Sequence, residues 1–292
     1  MKRAAPSSNK GRGHWFMWLL TVFFLLYTFL PLTATLFFSL AQRWTTTVLP
    51  ESWTIDAYVQ VFSDPAFAAA MGRSLFLSVI AATIQVGVVL LALLAVNIGK
   101  NRLGDWLEAL AIIPVALPGV VLAIGAVSFY GEFLPVLLGQ PVLLIGTEAA
   151  FGLPFVYWTL QNSFRAINVK LLYEAACTLR CTTFQFLTRI LIPSLKRGIA
   201  VAGAMAFATA FDDFALAQLI VGAGWETYPV LLNKYFHIDG HQTSAMSMIA
   251  IIIVFLFTSV AGYLSQPIQK VPKEDDLILQ KKASDMSETV KA

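Results

Sequence analysis

Charge is scarce in this chain. Of 292 residues only 13% are Asp, Glu, Lys or Arg, 20 basic against 17 acidic, while 58% are apolar or aromatic. A soluble domain carries about 25% charged residues, so too little polar surface exists to cover a water-soluble globule. The composition predicts a polytopic membrane protein. Cysteine is scarce as well. Cys177 and Cys181 are too few for a disulfide framework, and at i, i+4 they read as small apolar packers rather than a metal clip. The basic residues form no face with interleaved aromatics, which argues against nucleic-acid binding. No internal repeat is visible, and the inverted repeats of a self-sufficient secondary transporter therefore find no support. Nor does a G-x-x-x-x-G-K-[ST] phosphate loop occur, since Gly99-Lys100 lacks both the upstream Gly and the following Ser or Thr. The chain has no machinery for hydrolysing ATP itself.

What is present is apolar sequence in long runs. Six stretches, near 15–41, 72–98, 104–130, 142–164, 198–221 and 243–265, reach the length of about 20 residues that a helix needs to cross a hydrocarbon core of about 30 Å. The expected fold is all-α with six transmembrane helices. A leader (1–14) precedes a permeating unit over 15–266, and a polar tail (267–292) follows. The first run is far longer than the 7–15 apolar residues of a signal peptide, so it reads as an uncleaved helix. Pro114, Pro118 and Pro154 fall inside the third and fourth runs and predict bends there, because each removes a backbone donor.

Basic residues set the orientation. If the amino terminus is cytoplasmic, Arg43, Arg73 and Lys234 lie outside and the other seventeen of the twenty lie inside or in the tail. The positive-inside rule then places both termini in the cytoplasm of a cell whose inner membrane holds the protein. Outside, 42–71 carries Trp44, Trp53 and Tyr58, and 222–242 carries Trp225 and Glu226. His237, Asp239 and His241 group three potential metal ligands in five residues, but ligands from elsewhere and supporting partners are normally needed too, and a solvated loop is the expected reading.

The longest inner segment, 165–197, is patterned rather than loose. Leu171, Leu172, Ala175, Ala176 and Leu179 fall at helical spacing, and Phe184, Leu187, Ile190 and Leu191 repeat the pattern on a second short piece. An amphipathic hairpin on the inner membrane face is expected, with one side free to enter a groove on a soluble partner. Glu174-Ala175-Ala176, followed by Ile190-Leu191-Ile192-Pro193, resembles the EAA loop of the permeases of binding-protein-dependent ABC importers, the MetI-like group. That resemblance implies a transport subunit and not an enzyme. It implies a cytoplasmic ABC ATPase dimer carrying ATP and Mg, with no cofactor or metal in this chain. It further implies a second, homologous permease and a periplasmic or extracellular solute-binding protein. Glu174, Ala175, Ala176 and Leu179 would dock on the ATPase, and Pro193 would mark the return into the fifth span. Where the family has Gly six residues after the Glu, this chain has Arg180; a left-handed turn there costs a residue with a Cβ about 1 kcal/mol or more.

Asp212 and Asp213 stand in the fifth span, and Glu148 in the fourth at a comparable depth. An ionised Asp at a helix centre costs about 2.5–3.5 kcal/mol on insertion scales, and intramembrane acids usually mark a pathway. Adjacent helical residues point about 100° apart, so one of the pair would line the passage and the other would cap or meet a neighbouring helix. Protonated acids hydrogen-bonded in a helix interface are the alternative. Phe211-Asp212-Asp213-Phe214, with Gly224-Trp225-Glu226-Thr227-Tyr228-Pro229, is similar to the spermidine/putrescine permease branch. The similarity implies a polyamine or related cation as cargo, with Trp225 and Glu226 toward the binding protein. Branches for ferric iron or phosphonates share the scaffold.

Overall fold

The computed structural model describes residues 10–44, 47–99 and 103–264. The predicted leader up to residue 9 and the tail from residue 265 lie outside these, as do Lys100 and Arg102. The elements run α1 (Lys10–Ser39), β1 (Ala41–Arg43), β2 (Ser52–Trp53), α2 (Asp56–Ser63), α3 (Pro65–Ile98), α4 (Leu103–Ala116), α5 (Gly119–Phe133), α6 (Pro141–Phe151), α7 (Leu153–Ile167), α8 (Val169–Thr178), α9 (Thr183–Gln185), α10 (Ile192–Phe211), α11 (Phe214–Ile220), α12 (Tyr228–Phe236) and α13 (Gly240–Leu264). The fold is helical, with one small antiparallel ribbon in which Ala41 faces Trp53 and Arg43 faces Ser52.

Among the described residues four helices are long and apolar enough to cross a membrane: Trp15–Ser39, Pro65–Ile98, Thr183–Phe211 and Gly240–Tyr263. Two bent pairs, α4 with α5 and α6 with α7, bring the number up to six. The expected third and fourth spans are thus not single helices. Pro118 stands before the first turn of α5 and leaves a break after α4. Gly152 separates α6 from α7, whose axes differ by 45°, and Pro154 follows within the first turn of α7. Each proline lacks the N–H that would carry the helix through. The second span begins at Pro65 rather than 72, because Asp64 Oδ1 accepts the Ala66 N–H at 2.8 Å and Pro65 fills the first turn. With 34 residues α3 is about 51 Å long at a rise of 1.5 Å per residue, so its ends project from the hydrocarbon.

The fifth span departs most from expectation. The second amphipathic piece is not separate: α9, a π-helical turn over Phe186–Leu191 and α10 form one continuous helix, Thr183–Phe211. Its start is a capping box in which Thr182 Oγ1 accepts from Gln185 N at 3.2 Å and Gln185 Oε1 accepts from Thr182 N at 3.0 Å. The wide turn accommodates Pro193, which would otherwise press its ring on the carbonyl four residues back; Ile192 N instead bonds Leu187 O, five residues back. Nor does the helix run to 221. It stops at Phe211, and Asp213 begins the short α11.

Lipid tails are as apolar as leucine, so burial alone does not drive helices together within a bilayer; close packing of small residues does. α10 carries Gly198, and then Ala202, Ala206 and Ala210 buried at every fourth position, and packs on α3, α7 and α13. Gly198 is required at its place, because Ser163 of α7 occupies the space of a Cβ. α3 contributes the buried Ser74, Ser78 and Ala81. Hydroxyls in the spans are satisfied by their own helix: Ser78 Oγ donates to Ser74 O at 2.6 Å and Thr147 Oγ1 to Leu143 O at 2.7 Å. An aromatic column ties four elements, with Phe257 stacked on Phe207 (3.9 Å between centroids), Phe207 on Phe211 and Phe211 on Tyr228 (both 5.6 Å), and Phe67 edge-on to Tyr228.

Candidate functional site

Between α7 and the fifth span, α8 is a short helix pinned at both ends. Asn168, at φ 48°, ends α7 and begins α8 in one residue, its Oδ1 accepting from Leu171 N at 3.5 Å. Arg180 sits at φ 56°. Around it Cys181 N bonds Ala176 O (3.1 Å) and Arg180 N bonds Cys177 O (3.0 Å), the paired bonds of a Schellman end. These are the two non-glycine residues of positive φ among those described, and they bracket the helix. Its inner side is anchored by Val169 and Ala176, both buried, and by Tyr173 set edge-on to Phe186 at 5.1 Å. The other side is open. Glu174, Ala175 and Cys177 are exposed, and Leu171 (62%), Leu179 (81%) and Phe184 (73%) expose large apolar surface. Arg180 is exposed beside them, and Pro193 is exposed on the following helix.

The structure separates the three intramembrane acids into different environments. Asp212 is exposed at the end of α10, its N–H bonded to Ala208 O at 3.3 Å. Asp213 caps α11, with Oδ1 accepting from Leu216 N at 2.7 Å. The pair therefore lies in a break between helices rather than on one continuous helix. Glu148, in α6, is 2% exposed. It lines with Asp213 a narrow crevice, too tight to admit a water molecule, that also touches Ser74 and Thr227. Ser74 carries no motif and was invisible in the sequence, and Thr227 stood in the 224–229 segment without being singled out. Gln85, fully buried in α3, whose Nε2 donates to Glu148 O at 2.9 Å, was invisible too.

On the opposite side, Trp225 and Glu226 are half-buried and held by their own chain. The Arg73 guanidinium lies 5.9 Å from the Trp225 ring centroid and donates to Glu226 O at 3.3 Å; Lys234 Nζ stands 3.5 Å from Glu226 Oε1. Tyr235 OH donates to Asp64 Oδ2 at 2.6 Å, joining α12 to the start of α3. That bond, with burial and the Asp64 and Glu226 charges adding to it, holds the Tyr235 phenol above its ordinary pKa. His237, Asp239 and His241 are not gathered on one point. Asp239 Oδ1 accepts from His241 N at 2.8 Å, while the His241 ring stacks on Phe38 at 4.3 Å and its Nδ1 meets Phe38 O at 2.8 Å.

A helical bundle with broken spans, an exposed pinned helix at one face and acids at a helix break defines a membrane transport protein. Residues 87–269 match the family described as the binding-protein-dependent transport system inner membrane component. The chain belongs to that family: it is a permease subunit of an ABC importer, a transport subunit rather than an enzyme. Among curated relatives, it is 22% identical over 204 residues to the spermidine/putrescine transport system permease protein PotC of Escherichia coli, covering 70% of this chain and 76% of that one. It is also 22% identical over 251 residues to the putative 2-aminoethylphosphonate transport system permease protein PhnV of Salmonella choleraesuis (84% and 94% covered). A molybdenum transport system permease protein, ModB of Azotobacter vinelandii, is 27% identical over 155 residues, covering 49% of this chain and 68% of that one. In fold it resembles a chain of a bacterial ABC transporter that imports alginate (TM-score 0.69, 17% identity, 89% of this chain and 97% of that one). A chain of the MetNI methionine ABC transporter is also similar (TM-score 0.58, 16% identity, 71% and 100% covered).

Proposed function

We propose that this permease couples to a cytoplasmic ATPase dimer through α8 and admits a small organic cation past Asp212. The observation that carries the reading is mechanical. α8, rigidly ended by Asn168 and Arg180, passes through one tight turn into a continuous 29-residue helix that ends at Asp212. At 1.5 Å per residue that helix is about 43 Å long, so a push on α8 is delivered to the acids without an intervening loop. Glu174, Ala175, Leu179 and Arg180 form the contact with the ATPase, whereas Ala176, expected there too, is buried on the anchored side of α8 and only supports it; Pro193 sits where the lever enters the membrane. ATP and Mg belong to the partner. A second, homologous permease completes the conduit, and a solute-binding protein delivers cargo near Trp225 and Glu226, whose half-burial leaves one face of each for contact. Both termini are cytoplasmic, and the span 15–266 is the permeating unit.

Asp212 is the acid exposed at the break, with Asp213 and Glu148, expected beside it in the pathway, set behind it, and its negative charge favours a polyamine or similar cation. The relative named for 2-aminoethylphosphonate keeps a phosphonate on the same scaffold as the second reading. The test is an assembled transporter in vesicles. Glu174→Arg is expected to lose the co-purifying ATPase and nucleotide-driven uptake while the chain elutes normally. Asp212→Asn is expected to keep the ATPase and lower uptake of labelled spermidine or putrescine. Retention of the ATPase by Glu174→Arg overturns the coupling reading, and unchanged polyamine uptake in Asp212→Asn overturns the cargo reading.

A further inference from the structure

We propose that the crevice behind Asp212 is a site for one dehydrated hard metal cation, of the size of sodium or calcium, ligated by Glu148, Asp213, Thr227 and Ser74. The site is distinct from the cargo passage and goes beyond the coupling and cargo readings. Four observations converge. Glu148 and Thr227 are each 2% exposed, and Glu148 and Asp213 give the crevice two acids without a Lys or Arg among its lining residues. The nearest basic residue in sequence, Arg73, is spent on Trp225 and the Glu226 carbonyl.

Thr227 Oγ1 is buried with no hydrogen-bond partner, and a buried hydroxyl left unpaired is costly. Ser74 Oγ accepts from Tyr228 N at 2.8 Å, which fixes the oxygen in place. Asp213 Oδ1 is bound to Leu216 N, leaving Oδ2 for a ligand. Carboxylate and hydroxyl oxygens suit hard cations.

The break between α10 and α11 adds the carbonyl end of a helix, since Ala210 and Phe211 also line the crevice. Ends of interrupted helices are where membrane proteins coordinate small cations. Size excludes the organic cargo: the crevice has no room even for a water molecule, so only a smaller, dehydrated ion could enter it. An ion here would tie α3, α6, α11 and the segment before α12 together at the point where the lever ends.

Equilibrium binding of radioactive sodium and of radioactive calcium, each to the full-length chain in nanodiscs with whatever subunits it retains, tests the site. Saturable binding of one of the two metals is expected. Thr227→Val and Glu148→Gln should each weaken it about tenfold or more, whereas Thr227→Ser should restore it and Asp212→Asn should leave it unchanged. Absence of saturable binding by both metals overturns the proposal. So does binding unaltered by Thr227→Val, a variant that keeps the side-chain volume and removes only the hydroxyl. Because the readout is ion binding, it is independent of polyamine uptake or ATPase retention.

Discussion

The carboxamide of Gln85 occupies the space that a Cβ on Gly152 would need, and from there its Nε2 donates to Glu148 O at 2.9 Å. The side chain of α3 thus enters the break between α6 and α7 at its glycine, where Glu148 O also receives Gly152 N at 3.0 Å. In a bilayer no water is present to satisfy a broken helix, so a neighbouring side chain must do so.

Gly152→Ala is therefore expected to destabilise the protein by about 1–3 kcal/mol, the usual cost of overpacking a filled site. Gln85→Ala in the same chain should recover much of that loss by vacating the space, at the expense of its own bond to Glu148 O. Thermal unfolding of the two single variants and the double variant measures the coupling. Additive losses would place the strain elsewhere than between these two residues.

Arg180 makes the opposite case. It adopts φ 56° at a helix end that glycine adopts freely, and the Cβ costs about 1–2 kcal/mol in that region. Arg180→Gly is expected to raise stability by about 1 kcal/mol, seen as slower amide exchange at Arg180 and Cys181, whose N–H groups close the Schellman end. Should the ATPase contact depend on the guanidinium, the same variant would gain stability and lose uptake, which separates the two roles.

Where α12 meets the start of α3, Tyr235 bonds Asp64 at 2.6 Å, and this bond raises the phenol above its ordinary pKa. The sign follows from the raised value. The stabilisation is complete at neutral pH, below the pKa of an unfolded tyrosine, and disappears as alkaline pH rises through the folded pKa. Tyr235→Phe should cost about 1–2 kcal/mol at neutral pH and should flatten the alkaline fall in unfolding temperature. A fall equally steep in the variant would assign it to another group.

Much of this was legible in the residues. Run length gave the all-α class and the approximate spans, because a bilayer imposes a length on every crossing helix. The EAA pattern located α8. Pro118 and Pro154 marked the bends of the third and fourth spans, found after α4 and between α6 and α7, whereas the break at Asp213 lies inside an apolar run, and hydropathy registers a run without registering its hydrogen bonds. Asp213 prefers to cap a new helix rather than sit within an old one. In the same way, the second amphipathic piece merged with the fifth span because the π turn absorbs Pro193, a local adjustment without a composition signature. Ser74 and Gln85 gave no signal, since a single polar residue in an apolar helix is ordinary until its neighbours are known, and nothing in the 224–229 segment set Thr227 apart.

Asp213 allows charge and geometry to be separated within one side chain. Its Oδ1 holds Leu216 N at 2.7 Å, a bond that asparagine makes about as well as aspartate and alanine does not make at all. Asp213→Asn should accordingly unfold within a few tenths of a kcal/mol of the parent, while Asp213→Ala should lose about 1 kcal/mol as the start of α11 frays. If the carboxylate also ligates a cation, Asp213→Asn will keep the unfolding temperature in choline buffer and lose the increment that sodium or calcium confers on the parent. That increment follows from preferential binding to the folded state, so its absence in a well-folded asparagine variant identifies a charge contribution that the cap alone does not supply. An asparagine variant as unstable as the alanine one would show instead that α11 depends on the charge itself, through the positive end of its helix dipole.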